Sequence, residues 1–151
     1  MILELTETEA ILNIAAALEN LTRLRIRGFG LAIDDYGVGY SSMQALSRMP
    51  FTEIKIDRSF VSAAAGDPKY RLMVEHTIAV AHQLGLKTVA EGVETRTECH
   101  LLASLGCDRI QGYIVGKPLE GAEFLRWMVD RRESKGRGKP LGLRDMKLFG
   151  T

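Results

Sequence analysis

Only two cysteines, Cys99 and Cys107, occur in the 151 residues, and they form no Cys-x-x-Cys pair. Neither a disulfide framework nor a zinc site is suggested, and reduced thiols in a cytoplasmic chain are the expectation. An excess of charge of one sign is also lacking, with 20 basic residues against 19 acidic ones and a formal net charge of +1. That balance points to neither DNA, RNA nor a membrane surface as partner, so selectivity must reside in a local site. No run approaches the roughly eighteen apolar residues of a membrane span, and Met1-Ile2-Leu3-Glu4 lacks the basic and apolar regions of a signal peptide. The expectation is a chain that neither enters a membrane by itself nor is exported.

What is present is globular in composition, 46% hydrophobic and 26% charged, at a length that suits one domain. Short apolar segments alternate with helix patterns, the signature of a parallel α/β protein. Strands are predicted over 2–5, 31–34, 53–57, 87–91 and 109–113. Helices are predicted over 9–27, with Ile11, Ile14, Ala15, Leu18 and Leu21 on one stripe and Gly28 as its stop, and over 42–49, stopped by Pro50. Asp67 and Pro68 suit the cap and first position of a helix to Leu84, ended by Gly85. Thr95 and Glu98 have capping-box spacing for a helix to Leu105, ended by Gly106, and a last helix over 122–132 turns Phe124, Leu125 and Trp127 inward. Residues 133–151 begin polar and basic without an apolar period, and read as a flexible tail.

Asp34 and Asp35 stand where the second strand meets the glycine-rich turn Tyr36-Gly37-Val38-Gly39-Tyr40-Ser41-Ser42. Adjacent strand residues point to opposite faces, so both carboxylates serve one site only if the strand ends and the backbone bends there, which Gly37 and Gly39 allow. Paired carboxylates favour protons or hard divalent cations; an Asp-rich turn leading to a helix cap is the plain alternative. Further polar groups recur near the ends of the other strands: Glu4, Lys55, Glu91 and Gln111. Each alone can be an edge charge or a buried ion pair. Together they suit one site, because C-terminal strand ends converge on one face of parallel α/β folds. Several carboxylates, a lysine and an amide fit metal-assisted hydrolysis of a phosphate ester. His76, His82 and His100 lie in helix patterns and read as surface or packing residues. Gly37-x-Gly39 is no dinucleotide fingerprint, since two aspartates precede it.

These motifs, with Glu4-Leu5-Thr6-Glu7, Lys55-Ile56-Asp57-Arg58-Ser59-Phe60, Ala90-Glu91-Gly92-Val93-Glu94-Thr95 and Gln111-Gly112-Tyr113, resemble in order and spacing the EAL-domain phosphodiesterases, which hydrolyse the bacterial second messenger cyclic di-GMP to linear pGpG. The resemblance runs from Glu4 to about Trp127. It implies a TIM-like (β/α) barrel and two magnesium or manganese ions, one held by Glu4 and Asp34, the other by Asp34, Asp35 and Glu91. Lys55 is then the group that meets the attacking water and the phosphate, Glu91 a catalytic carboxylate as well as a ligand, and Gln111 a water-positioning amide. Glu7 is the anchor of the loop carrying Tyr36, Gly37, Gly39, Ser41 and Ser42, which in the family couples dimerisation to activity.

The chain departs from that family by having no Glu-Ala-Leu segment and no Asn-bearing strand after it, which removes half of the first ion's protein ligands. One firm and one weak metal site are expected, in a binding or regulatory module if hydrolysis is lost. About five strands, against the eight that close a barrel, predict a partial barrel with open edges. The expectation is a C-terminal portion of such a domain over 1–132, from a longer protein or a chain that self-associates as a homodimer or higher form.

Overall fold

The computed structural model describes residues 1–6, 14–34, 43–116 and 147–148. The strands are β1 (Ile2–Thr6), β2 (Gly30–Asp34), β3 (Glu53–Ile56), β4 (Lys87–Ala90), β5 (Arg109–Ile110) and β6 (Lys147–Leu148). Between them run helices α1 (Ile14–Ile26), α2 (Met43–Arg48), α3 (Arg58–Ala64), α4 (Pro68–Gln83) and α5 (Arg96–Ser104). All strand pairs are parallel and lie in chain order from β1 to β6, so every C-terminal strand end is on the same edge of the sheet. Among the described residues the sheet is open, with β1 and β6 at its edges. The fold is therefore an α/β partial barrel.

Alternation along the strands divides the sheet into two chemically different faces. Leu31, Ile33, Ile54, Ile56, Ala90 and Ile110 are buried in the apolar core, where helical residues such as Leu21, Val61, Val74, Ile78 and Leu102 pack on them. The residues between them in sequence, including Asp34, Glu53, Lys55 and Arg109, belong to the opposite face. A strand that needs Ile54 and Ile56 toward the helices has no choice but to aim Lys55 away from them.

The helix ends follow local chemistry. Asp67 accepts from the Lys69 amide at 2.8 Å with Pro68 in the first turn of α4. Thr95 and Glu98 form the reciprocal capping box at α5, and Gly28, Gly85 and Gly106 follow their helices with positive φ. Several expectations differ from what is observed. Asp57, read as the end of the third strand, is instead the N-cap of α3, its carboxylate accepting from the Ser59 amide at 2.8 Å. That short helix escaped the sequence reading because seven residues carry less than two apolar periods. Leu18, expected on the buried stripe of α1, is exposed, whereas Leu21 is buried. The fifth strand is shorter than 109–113, because Gly112 and the residues after it turn. Strand β6, beside β5, lies in a segment where no strand was expected. The start of the first helix at 9–13, the helix over 122–132 and most of 133–151 lie outside the described residues.

Candidate active site

Lys55 is the centre of the polar face. Its side chain is 8% exposed, and its Nζ lies 2.6 Å from Glu91 Oε1, 2.8 Å from Glu4 Oε2 and 3.5 Å from Asp34 Oδ1. Four elements supply this group: β1 carries Glu4, β2 ends on Asp34, β3 carries Lys55, and Glu91 follows β4. The sequence-predicted convergence of Glu4, Asp34, Lys55 and Glu91 is thus observed. Gln111 is adjacent through its backbone: its amide donates to the Ala90 carbonyl at 2.8 Å and its carbonyl accepts from the Val93 amide at 3.0 Å. Asp35, Glu7, Tyr36, Gly37, Gly39, Ser41 and Ser42 lie outside the described residues.

Three carboxylates around one ammonium leave an excess of two negative charges. Burial alone would lower the Lys55 pKa, but hydrogen bonds with Glu4 and Glu91 and the charges of Glu91 and Asp34 outweigh it and hold the amine well above its ordinary value. Glu91 moves upward too. Burial is the main cause, with Asp34 and Glu4 adding repulsion, and together these outweigh the hydrogen bond and charge of Lys55. An isolated exposed ion pair would lower a carboxylate; this one is raised because it is buried, with the neighbouring carboxylates adding to the effect. Among the described residues no group of three or more His, Cys, Asp and Glu side chains is arranged to hold an ion by itself. The carboxylates are gathered on Lys55 instead.

The turn that carries Glu91 is held from several directions. The Glu91 amide donates to the Ile56 carbonyl at 3.0 Å, and the Glu94 and Thr95 amides both donate to Glu98 Oε2, at 2.9 and 2.8 Å. A Cβ on Gly112 would lie 2.3 Å from both N and O of Val93, so the turns after β4 and β5 meet backbone to backbone. Sequence reasoning recognised Glu98 as a capping residue but not its hold on Glu94. It also missed a partly buried ion pair on the polar face, in which Arg109 donates to Glu53 across β4. His82, expected to be a surface or packing residue, is half-exposed and 2.9 Å from Asp108 Oδ2.

An open parallel α/β sheet with an acidic cluster around a buried lysine at its C-terminal strand ends defines a class of strand-end sites suited to phosphate chemistry. Residues 1–118 match the EAL domain, and the chain belongs to that family. It is 44% identical over 122 residues to the cyclic di-GMP phosphodiesterase RocR of Pseudomonas aeruginosa, a match that covers 81% of this chain and 31% of RocR. It is 42% identical over 125 residues to the bifunctional diguanylate cyclase/cyclic di-GMP phosphodiesterase MucR of the same organism, covering 83% of this chain and 18% of MucR. Among solved structures, PaMucR phosphodiesterase in complex with c-di-GMP superimposes with a TM-score of 0.77 at 41% identity, over 82% of this chain and 50% of that one. The EAL domain of Mycobacterium smegmatis DcpA gives 0.79 at 39% identity, over 85% and 58%. The chain therefore spans a third or less of the length of these curated relatives.

Proposed function

We propose that this chain takes part in metal-dependent hydrolysis of a phosphodiester bond of cyclic di-GMP to linear pGpG, in cytoplasmic bacterial second-messenger signalling. The observation that carries this reading is the convergence of Glu4, Asp34 and Glu91 on the buried Lys55. The names of the relatives, cyclic di-GMP phosphodiesterases, support the substrate. Among the described residues no helix is long and apolar enough to cross a membrane.

Magnesium or manganese fits the donor set, which is all oxygen and carries net negative charge. Glu4 and Asp34 would hold one ion and Asp34, Asp35 and Glu91 a second, with Asp34 shared. When bound, such ions supply positive charge that polarises the phosphodiester and acidifies water. Lys55, held cationic, donates to a phosphate oxygen and to the attacking water; Glu91 accepts a hydrogen bond from Lys55, and Gln111 orients the water through its amide. On this reading Glu7 would anchor the loop of Tyr36, Gly37, Gly39, Ser41 and Ser42, through which a homodimer or higher assembly would act on the site. Residues 1–132 make up this catalytic portion, and 133–151 a basic extension.

Incubation of the chain with cyclic di-GMP and magnesium or manganese, alongside Lys55→Ala, tests the reading. Turnover that Lys55→Ala abolishes is the expected result. Binding of cyclic di-GMP without turnover would make the chain a regulatory module, which the half-exposed Glu4 on an edge strand favours as the second reading.

A further inference from the structure

Arg58 is the first residue of α3, three positions after Lys55 and absent from the cluster around it, yet its side chain lies across the turn that follows Glu91. A Cβ built on Gly92 would come within 2.4 Å of Arg58 Cγ and 2.6 Å of its Cβ and Cδ, so the arginine stem rests directly on the Gly92 backbone. Gly92 has φ +61, a conformation that glycine adopts without strain. Beyond the glycine, Arg58 Nη2 reaches Glu94 Oε1 at 3.0 Å. The side chain thus straps the turn from its first residue after Glu91 to its last.

We propose that Arg58 is a positioning residue for Glu91. The ion pair alone would not justify this: its partners are 60% and 37% exposed, and exposed pairs contribute little. The packing does, because the stem fills the space above Gly92 that any other side chain there would need. The other supports of the turn are backbone groups and a buried carboxylate: Val93 N to Gln111 O at 3.0 Å, Gly112 against Val93, and Glu98 under the Glu94 and Thr95 amides. Arg58 adds a side-chain contact with Gly92 and Glu94 to these supports. Asp57, two residues after Lys55, caps α3 and so fixes where the helix and its Arg58 begin. Lys55 and the clamp on Glu91 are therefore delivered by one continuous segment, 55–58. The inference rests on the reading of Glu91 as part of a divalent-ion site, where groups behind a ligand orient it and tune its affinity.

Arg58→Ala, Arg58→Lys and the unsubstituted full chain are compared by calorimetric titration with manganese chloride, by amide hydrogen exchange without metal, and by thermal unfolding. In Arg58→Ala the Val93 and Glu94 amides exchange faster and manganese affinity falls about tenfold, with the unfolding midpoint nearly unchanged. Arg58→Lys, which keeps the charge and most of the stem, restores both. Unchanged exchange at Val93 and Glu94 overturns the positioning role, whatever manganese does. Faster exchange with unchanged manganese affinity overturns it as well, since the turn is then loosened without consequence for Glu91. A fall in midpoint that accounts for the lost affinity does the same. Manganese that fails to bind even the unsubstituted chain removes the metal reading of Glu91, and the exchange measurement still judges the strap.

Discussion

Lys55 Nζ lies 2.6 Å from Glu91 Oε1, though the two residues are 36 positions apart and come from β3 and the turn after β4. The pair makes Lys55 a competitor for any cation that seeks the same carboxylates. Lys55→Met, which keeps the stem but removes the charge, is expected to bind manganese about fivefold more tightly than the unsubstituted chain, the order of one partly exposed ion pair. Calorimetric titration measures this directly. Weaker binding in Lys55→Met would mean that the ammonium organises the carboxylates rather than competing for them.

At the opposite strand ends, Asp108 accepts from Lys87 Nζ at 2.6 Å, from the Thr88 amide at 3.0 Å and from the Thr88 hydroxyl at 3.1 Å, with His82 Nε2 at 2.9 Å. Burial would raise its pKa, but these hydrogen bonds prevail and bring it down to about 2. A carboxyl lower in the folded chain than in the unfolded one, where it titrates at about 3.9, stabilises the fold fully above that value. The contribution is lost as pH falls from about 4 toward 2. Urea midpoints across pH 2 to 6 are expected to fall more steeply in the unsubstituted chain than in Asp108→Asn. Parallel curves would assign the acid sensitivity elsewhere.

Cys99 and Cys107 are both buried, and burial pushes both thiols up from their ordinary range. The Cys107 thiol also donates to the Arg109 carbonyl at 3.1 Å. The thiolate is the reactive form, so an aromatic disulfide reagent at pH 8 is expected to label neither residue quickly in the folded chain, and both in guanidinium. Rapid native labelling of Cys107 would show that β4 and β5 part readily.

Gly112→Ala is expected to cost at least about 2 kcal/mol, since its Cβ would enter the Val93 backbone 2.3 Å away and neither backbone can yield without moving Gln111 or Glu91. Denaturant unfolding reads the loss. Gly66→Ala is the contrast, with nothing within 4 Å of its Cβ, and is expected to change stability by less than about 1 kcal/mol. Equal costs at the two positions would remove the argument for a close backbone contact between the two turns.

The strands and most helix ends were legible because their signals are local. Alternation of Ile54 and Ile56 with Glu53 and Lys55 defines which face each side chain takes. Asp67-Pro68, the Thr95 and Glu98 pair, and the glycines Gly28, Gly85 and Gly106 mark helix ends through bonds made within a few residues. The short helix α3 was not legible, because Asp57 can as well end a strand as cap a helix, and only the packing of Val61 and Ala64 into the core chooses between them.

By itself the sequence determined where the charged side chains fall: a carboxylate near the ends of the first, second and fourth strands, a lysine on the third, and the order that makes those ends share one edge. Only the tertiary structure decided how they meet. Parallel register brings Glu4, Asp34 and Glu91 onto one buried ammonium; burial opposes the charge on Lys55 but the carboxylates' hydrogen bonds and charges raise it, and burial raises Glu91. The strap of Arg58 over Gly92, the backbone contact of Gly112 with Val93 and the gathering of His82, Lys87 and Thr88 on Asp108 were likewise beyond sequence reading. Each joins residues at least 19 positions apart, and such contacts depend on distances between elements, which neither periodicity nor capping chemistry encodes.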